Sequence, residues 1–478
     1  MRGHVLRTLA RTPAVRGFST SLPRGALSTA TVDPDSKVLH RSLKLGLPMA
    51  VRGEGNYIYT ADGRKILDTT GGAAVVSCGH AVPEIVEAVT EQLKTLPYVS
   101  SFLFGTEPAE ELATMLCEDS GMSRVVLFNG GSEAVESAIK LARQYHVENG
   151  QPQRTKFISR RVSFHGNTIT DLALGRHDRR RALYLPLMPD NVFHSVSPCN
   201  TYRGKLEGET DAQYVDRLAD ELDKKFIELG PSTVAAFFME PVVGATSGCV
   251  PFVPGYITAM KRVCEKYGAL FVLDEIMCGF GRTGKLHAWS WEGDAARPDI
   301  QTLGKGLCGG YAPLSAVLAN DKVVNVLSKG TGSFMNGYTF QSSGIGAAAG
   351  LAVYKYYKKH DLVAKCAERG KQMEEALRKQ LENHPHVGNI RGMGLFYGIE
   401  LVADKKTKQP FPSSKGISQK ITDAAYERGI ALYPGVGCAD GWEGDHVMIF
   451  PPFTITADEV QFSVDALQGA IEDVLGKQ

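Results

Sequence analysis

Apolar and polar residues follow two different periods near the start of the chain, and each period predicts one kind of element. Residues 57–70, YIYTADGRKILDTT, alternate about an Asp-Gly pair, which predicts a β-hairpin. Residues 83–96, PEIVEAVTEQLKTL, place apolar residues at helical spacing with Pro83 in the first turn, which predicts a helix. A hairpin followed by a helix is therefore expected here.

Short apolar runs alternate with helical patterns from about residue 110 onward. Because Val, Phe and Leu follow one another in most of these runs, we expect strands that are buried on both faces. The pattern predicts an α/β fold with a mostly parallel central sheet covered by helices. The predicted strands are VVLFN (125–129), KFISRRVSF (156–164), VAAFFME (234–240), ALFVLDE (269–275) and LSAVLAN (314–320).

The character of the sequence changes near residue 356. A charged helical segment, VAKCAERGKQMEEALRKQLENH, is followed by short strands near GLFYGIELV. These features predict a smaller α+β domain over residues 356–478, to which the segment 36–90 contributes. Residues 91–355 would then form the large domain.

The overall composition is that of an ordinary globular enzyme and argues against several other classes of protein. Of the 478 residues, 43% are hydrophobic and 22% are charged, and the formal net charge is +1. This balance argues against nucleic-acid and anionic-membrane partners, and the apolar runs are too short to cross a bilayer. The nine cysteines include no C-x-x-C pair, so we expect neither a metal site nor a disulfide framework.

The N-terminus has a composition of its own. Residues 1–32 contain five arginines and many Ser and Thr residues, and the first acidic residue is Asp33. Such a leader is typical of a mitochondrial transit peptide, with a candidate cleavage site after Phe18 and Arg16 just upstream. We expect residues 1–35 to be a transit peptide and disordered leader of a matrix protein; a cytoplasmic protein with a basic tail is the alternative.

Two glycine-rich segments are candidates for a phosphate site. Residues 279–285, GFGRTGK, match the start of a P-loop, but Leu286 stands where the motif needs Ser or Thr, so a nucleotide-binding protein is only a remote alternative. Residues 128–146, FNGGSEAVESAIKLARQYH, predict a strand, a glycine turn and a helix. The start of that helix, at Gly131 and Ser132, favours an anion.

Several residues elsewhere have the chemistry that pyridoxal phosphate (PLP) requires. Asp274 ends an apolar run, Lys305 follows 31 residues later between two glycines, and Phe164-His165-Gly166 lies upstream. PLP needs a lysine amine, a carboxylate for its pyridine nitrogen, a surface for its ring and a site for its phosphate. The sequence therefore predicts PLP as the cofactor.

These motifs together resemble those of the class III (ω-type) aminotransferases, which are fold type I PLP enzymes. The resemblance runs from about residue 57 to the C-terminus. It implies transfer of an amino group from an amine or ω-amino acid to a small 2-keto acid by a ping-pong mechanism. A decarboxylating transaminase or an aminomutase shares the scaffold and stays open. The matching motifs are GGSEA, FHG, MEPVVG, LDEIMCGFGRTGK, PDIQTLGKGLCGGYAPLSAV, YTFQ and IRGMGLFYGIEL.

The resemblance also implies a role for each matching residue. Asp274 would pair with the ring nitrogen, and Lys305 would form the Schiff base and then move the proton. Thr339 would reach the phosphate of the neighbouring subunit, so a homodimer is expected. The other implied cofactor contacts are Gly131 and Ser132 to the phosphate, Phe164 and Ile276 on opposite faces of the ring, and His165 beside it.

Substrate contacts are predicted from where the chain departs from its relatives. Ornithine- and 4-aminobutyrate-type members carry Glu where Ala245 stands, and that Glu pairs with the arginine that matches Arg391. We therefore expect Arg391 to be unpaired and to receive the keto-acid carboxylate through its guanidinium; a structural arginine in the small domain is the alternative. Glu240 lies at the edge of the site, with a structural role equally open. The donor pocket is expected to contain Tyr57, Phe102 and Phe164.

Overall fold

The computed structural model describes Thr31 and residues 36–44, 46–189 and 191–477, so the predicted leader lies outside the described residues except for Thr31. The strands are β1 (Ala50–Glu54), β2 (Tyr57–Thr60), β3 (Lys65–Leu67), β4 (Arg124–Phe128), β5 (Lys156–Arg160), β6 (Phe193–Val196), β7 (Val234–Met239), β8 (Leu270–Asp274), β9 (Ile300–Leu303), β10 (Ser315–Ala319), β11 (Val387–Gly392), β12 (Tyr397–Asp404), β13 (Gln409–Pro410), β14 (Tyr433–Val436) and β15 (Asp445–Ile449).

The helices lie mainly between the strands of the large sheet and after it. Short 3-10 turns add Ala182–Leu187, Pro231–Thr233, Ala288–Glu292, Asp294–Ala296, Lys305–Leu307 and Ser413–Lys415. The α-helices are α1 (Gly71–Ala74), α2 (Pro83–Thr95), α3 (Glu107–Ser120), α4 (Gly131–Glu148), α5 (Ile169–Leu174), α6 (Asp178–Arg181), α7 (Thr201–Gly204), α8 (Asp211–Leu229), α9 (Tyr256–Tyr267), α10 (Asp321–Lys329), α11 (Gly344–His360), α12 (Leu362–Leu381), α13 (Ile417–Glu427) and α14 (Ala457–Leu475).

The central sheet has seven strands in the order β4-β10-β9-β8-β7-β5-β6. All neighbouring pairs are parallel except those of β10, which runs antiparallel to β4 and to β9. The predicted α/β fold with a mostly parallel sheet is confirmed. Sequence analysis did not predict β6 and β9, because FHSV and IQTL are short runs that contain polar residues.

Burial explains why the middle of this sheet was the easiest part to predict. Every residue of β7 and of β8 is buried, which matches their unbroken apolar runs. Helix α4 buries Val135, Ala138, Ile139 and Ala142, the apolar face that helical spacing predicts. The site residues that follow these strands are therefore attached to a rigid support.

Two smaller sheets lie outside the central one. The C-terminal sheet has the order β11-β12-β15-β14, with β13 paired to β12, and all of its pairs are antiparallel. The N-terminal sheet β1-β2-β3 contains the predicted hairpin. Leu67 of β3 forms a parallel bridge with Ile430, and the Asn56 amide donates to Glu459 at 2.9 Å. The N-terminal segment thus contacts the C-terminal part of the chain, while the exact domain boundaries stay predictions.

Three further features of the described residues bear on function. No helix among them is both long and apolar enough to cross a membrane. No three His, Cys, Asp or Glu side chains in these ranges form a group that could hold a metal ion. All nine cysteines are free thiols, and all of them except Cys117 are buried.

Candidate active site

Asp274 ends β8 and presents its carboxylate at the carboxyl edge of the central sheet. Its Oδ2 lies 2.8 Å from Nδ1 of His165. Its Oδ1 accepts hydrogen bonds from the Ile276 amide at 3.1 Å and from the Thr302 hydroxyl at 3.2 Å. The side chain is buried. Three donors fix the carboxylate, and because its two oxygens offer about four acceptor positions, one remains for a further N–H donor.

Lys305 stands two residues after β9 and begins a 3-10 turn. Its backbone is left-handed, with φ +46°, a conformation that is uncommon outside glycine and is enriched at functional sites. Within the described residues, its ε-amine makes no hydrogen bond or ion pair. Burial lowers the pKa of this amine to about 8, although the charges of Asp274 and Glu240 oppose that effect. An amine with such a pKa serves as both nucleophile and base.

The start of α4 provides an anion site beside these two residues. The first helical turn, from Gly131, leaves backbone amides without an intrahelical acceptor. The Glu133 carboxylate reaches back to the Gly130 amide at 3.4 Å, so the amides that follow are the ones left for a ligand. Oγ of Ser132 accepts a hydrogen bond from the Asn167 amide at 2.9 Å, which fixes the hydroxyl at the mouth of the turn.

Ile276 connects the anion site to the lysine. A Cβ atom added to Gly131 would lie 3.1 Å from carbon atoms of Ile276, and one added to Gly304 would lie 3.2 Å from it. Both distances are shorter than ordinary van der Waals contact, so a larger residue at either position would have to displace this side chain. The isoleucine therefore has one position, between the helix start and the lysine turn.

Phe164 and His165 follow β5 and reach the same edge of the sheet. The Phe164 amide donates to Glu240 at 3.1 Å, and the Gly244 amide donates to the other carboxylate oxygen at 2.9 Å. Burial raises the pKa of Glu240. The buried His165 ring bonds Asp274 through Nδ1, while its Nε2 has no partner among the described residues. Glu240 thus holds the backbone that places Phe164.

This set of groups fits PLP. Asp274 offers a buried acceptor to a ring nitrogen, Lys305 offers an unbonded amine to an aldehyde, and the first turn of α4 offers amides to a phosphate. Because Gly131 and Gly304 have no side chain, they leave room for a flat ring to lie beside Ile276. Apart from Thr339, the residues that the sequence placed on the cofactor follow four separate strands, and the fold brings them to one edge.

The expectation that Arg391 is unpaired is wrong. Its guanidinium donates to Glu400 at 2.5 Å, to the Gly248 carbonyl at 2.9 Å and to the Ser247 carbonyl. Glu400 comes from the neighbouring strand β12, so it supplies the carboxylate that Ala245 lacks. With both edges of the guanidinium occupied in a buried position, Arg391 has no bidentate site left for a keto acid.

Tyr57 lies in the N-terminal sheet and not among the residues that contact Asp274. The Lys65 ammonium is 3.8 Å from the centre of the Tyr57 ring. Burial raises the pKa of Tyr57 to about 12, and the neighbouring Glu459 carboxylate adds to that increase. These neighbours belong to the junction of β2 with α14, so the predicted donor-pocket role of Tyr57 gains no support.

Phe102 and Thr339 are both on the surface of the single chain. The Phe102 side chain is 93% exposed. Thr339 is exposed, and its carbonyl accepts a hydrogen bond from the Tyr98 hydroxyl at 3.0 Å. Neither residue contacts Asp274 or Lys305 within the one described chain, so any role at the cofactor requires a second copy.

The P-loop look-alike at residues 279–285 is a structural bend. Arg282 in it is buried and donates to the carbonyls of Leu395, at 3.1 Å, and Pro451. The next element is a single 3-10 helix, Ala288–Glu292, and not the long helix that a P-loop needs. The segment therefore lacks the helix that a P-loop needs at this place.

Thr302 is a site residue that sequence analysis did not identify. It binds Asp274 from β9, the strand that was not predicted. The available signal was its position three residues before Lys305 in QTLGK. A hydroxyl so close to the lysine, on a strand beside β8, falls next to the carboxylate that ends β8.

Comparison with known proteins decides the family. A family model described as Aminotransferase class-III matches residues 41–471. The chain belongs to the class III aminotransferases. Among members of this family, an aminotransferase of Gibberella zeae is 43% identical over 467 residues, which cover 96% of this chain and 91% of that protein.

Other transaminases are similar to this chain over most of their length at lower identity. The mitochondrial gamma-aminobutyrate transaminase 1 of Oryza sativa subsp. japonica is 32% identical, with 88% of this chain and 81% of that protein covered. The solved structure of the ω-transaminase from Pseudomonas jessenii in complex with PMP has a TM-score of 0.85 and 30% identity, with 92% and 97% covered. Our class III chain is therefore a PLP-dependent aminotransferase of fold type I.

Proposed function

We propose that Lys305 and Asp274 transfer an amino group from an amine or amino acid donor to a small 2-keto acid. The observation that carries this proposal is a half-buried amine, unbonded among the described residues, on the same sheet edge as a buried carboxylate with an acceptor position to spare. Bound PLP supplies a carbonyl group that captures the amine and a ring that withdraws electrons. Asp274 keeps the ring nitrogen protonated, because an opposite charge within ~4–6 Å favours the charged form.

Lys305 has the second role in this proposal. Its amine moves the proton at the substrate Cα atom, a general acid–base step worth ~10²–10⁴-fold in rate. The lowered pKa supports this role, since the neutral amine is substantially populated near pH 8. Gly131 and Ser132 would hold the phosphate, and Phe164 and Ile276 would bracket the ring.

The test combines a variant with a half-reaction. Lys305→Ala should lose the visible absorbance of lysine-bound cofactor and ~10²–10⁴-fold or more in transfer rate. Lys285→Ala is the matched control, because Lys285 is also a half-buried lysine but donates only to the Ser290 carbonyl at 3.1 Å. Wild-type absorbance in the Lys305 variant would contradict the assignment.

A panel of amine donors, followed by a keto acid, separates the remaining chemistries. An aminotransferase returns the cofactor to its starting spectrum and forms one amino acid per site without carbon dioxide. Release of carbon dioxide would indicate a decarboxylating transaminase, and return of the amino group to the donor skeleton would indicate an aminomutase.

We also propose a homodimer. Five apolar side chains form an exposed surface that we call the 98–104 patch, in which the Tyr98 and Phe340 rings lie 5.4 Å apart. Exposed apolar surface of this kind indicates an interface, and a second copy would also bring Thr339 near a neighbouring phosphate. The patch contains Tyr98, Phe102, Leu103, Phe104 and Phe340.

We propose, finally, that the protein is located in the mitochondrial matrix. The five arginines without an acidic residue in residues 1–32 support this location, as does the word mitochondrial in the name of the rice relative. A fluorescent protein fused to residues 1–35 should enter mitochondria, and diffuse cytoplasmic fluorescence would contradict the proposal.

A further inference from the structure

With Arg391 paired, another cation must receive the carboxylate of the acceptor. Arg282 is buried and donates to two main-chain carbonyls, so it is occupied as well. Arg180, on α6, is exposed, and its guanidinium makes no hydrogen bond or ion pair in the described part of the chain. It is therefore an arginine whose donors are available.

The position of Arg180 places it at the active site. Its guanidinium carbon lies 4.9 Å from the centre of the Phe164 ring. Phe164 precedes His165, which is bonded to Asp274. The positive charge of Arg180 is also one of the causes that lower the pKa of Lys305. The guanidinium thus lies within electrostatic range of the reacting amine.

Helix α6, which carries Arg180, is hydrogen-bonded to the C-terminal sheet and the loop after β14. The Arg179 amide donates to the Gly441 carbonyl at 3.1 Å, and the His177 ring lies 3.2 Å from the Val436 carbonyl. These bonds tie the helix to the loop after β14. The backbone just before Arg180 is thus held against the C-terminal part of the chain, beside the carboxyl edge of the central sheet where a substrate would bind.

The charges around Arg180 favour an anion. Surrounding protein lowers the pKa of Arg180 by desolvation, and the charge of Arg41 adds to that decrease, while Glu240 and Tyr433 oppose it. Glu240 already accepts two backbone amides and forms no ion pair with Arg180. Among the described residues, the Arg180 guanidinium therefore has no carboxylate partner, and it gains from a bound carboxylate.

We propose that Arg180 receives the carboxylate of the 2-keto acid acceptor in a two-point hydrogen bond. A guanidinium matches a carboxylate in shape, and its face can rest on an aromatic ring at the same time. This inference rests on the proposed function, because it assumes that the acceptor is a keto acid.

The experiment compares two acceptors in single turnovers of the holoenzyme, first converted to its amino form. The acceptors are pyruvate and propanal, which lacks the carboxylate. In Arg180→Met, the apparent second-order rate constant for pyruvate should fall about 10–100-fold, whereas that for propanal should stay within about threefold. Arg180→Lys keeps the charge without the fork and should recover part of the loss.

Direct binding gives a second readout that does not depend on turnover. Calorimetric titration of the holoenzyme with propionate should show weaker binding in Arg180→Met by a similar factor. Arg161→Met is the matched control, because Arg161 is an exposed arginine whose side chain donates to Ser197 at 2.8 Å. The control should behave as wild type in both measurements.

The outcomes separate the two levels of the proposal. If the wild type reacts with neither acceptor, the proposed function is wrong and the inference fails with it. If the wild type reacts with both and Arg180→Met loses nothing with pyruvate, only the assignment of Arg180 is overturned. An equal loss with pyruvate and propanal, or a loss in Arg161→Met as large, also overturns it.

Discussion

Single atoms decide which residues are permitted around the cofactor site. The two adjacent glycines at the start of α4, Gly130 and Gly131, show this most clearly. A Cβ atom on Gly131 would press on Ile276 at 3.1 Å, whereas one on Gly130 would meet nothing within 4 Å. There is therefore room for a methyl group at Gly130 but not at the adjacent Gly131.

The first prediction concerns this pair of glycines. Gly131→Ala should weaken cofactor binding about 10–100-fold, because extra volume in a packed site costs roughly 1–3 kcal/mol. Gly130→Ala, with φ −109°, should stay within about threefold of wild type. Equilibrium dialysis with PLP measures both, and equal affinities of the two variants would show that the contact with Ile276 has no effect.

Sequence reasoning at this scale could name residues whose signal is local. Asp274 was predicted because it ends an apolar run, and Lys305 because it stands between two glycines. The partner of Arg391 was not predicted. Glu400 reaches it only through the pairing of β11 with β12, where Arg391 is opposite Gly398. A cross-strand partner depends on register, which one sequence does not specify.

Helix α4 joins the cofactor site at its start to the core at its end. His146 in its last turn is fully buried, and its Nε2 lies 2.8 Å from the Ala235 carbonyl. Burial lowers the pKa of His146 to about 4, with nearby arginines adding to the decrease. The folded protein therefore keeps this ring neutral at pH values where the unfolded chain would protonate it.

This difference predicts acid sensitivity of the helix. The pKa of His146 is lower in the folded state, so its contribution to stability is present above pH 6.5 and is lost as pH falls towards 4. Between pH 7.5 and 5, the wild type should lose about 2 kcal/mol more than His146→Gln. Melting temperatures at both pH values test this, and an equal loss of stability in the wild type and in His146→Gln would contradict it.

Helices and strands could be predicted where a regular pattern of apolar residues continued over the whole element. Helices α2 and α12 and strands β7 and β8 have such patterns and were predicted. The antiparallel direction of β10 could not be predicted, because LSAVLAN looks the same in either direction. Direction is set by how the chain returns to the sheet, not by the residues in the strand.

At the scale of the whole molecule, the exposed apolar surface determines assembly. The 98–104 patch contains Phe102, which is 93% exposed. Phe102→Asp should weaken dimerisation about 30-fold or more, since a buried aromatic anchor is worth ~2 kcal/mol or more at an interface. Sedimentation equilibrium measures the change.

The matched control for that experiment is an exposed apolar residue outside the 98–104 patch. Ile227 on α8 is 60% exposed but lies outside the patch, so Ile227→Asp should leave the association constant at its wild-type value. A wild type that is monomeric at micromolar concentration would contradict the proposed dimer.

The bridge between Leu67 and Ile430 has a consequence for how the protein is made. The hydroxyl of Thr69, next to this bridge, donates to the carbonyl of Ala431, 362 residues further along the chain. Strands β2 and β3 leave the ribosome early, yet these partners exist only when synthesis is almost complete. Contacts between residues so far apart in sequence form slowly, and the apolar surface that they cover in the native state stays exposed until they form. Strands β2 and β3 are therefore synthesised early but must wait for almost the whole chain before they reach these native neighbours.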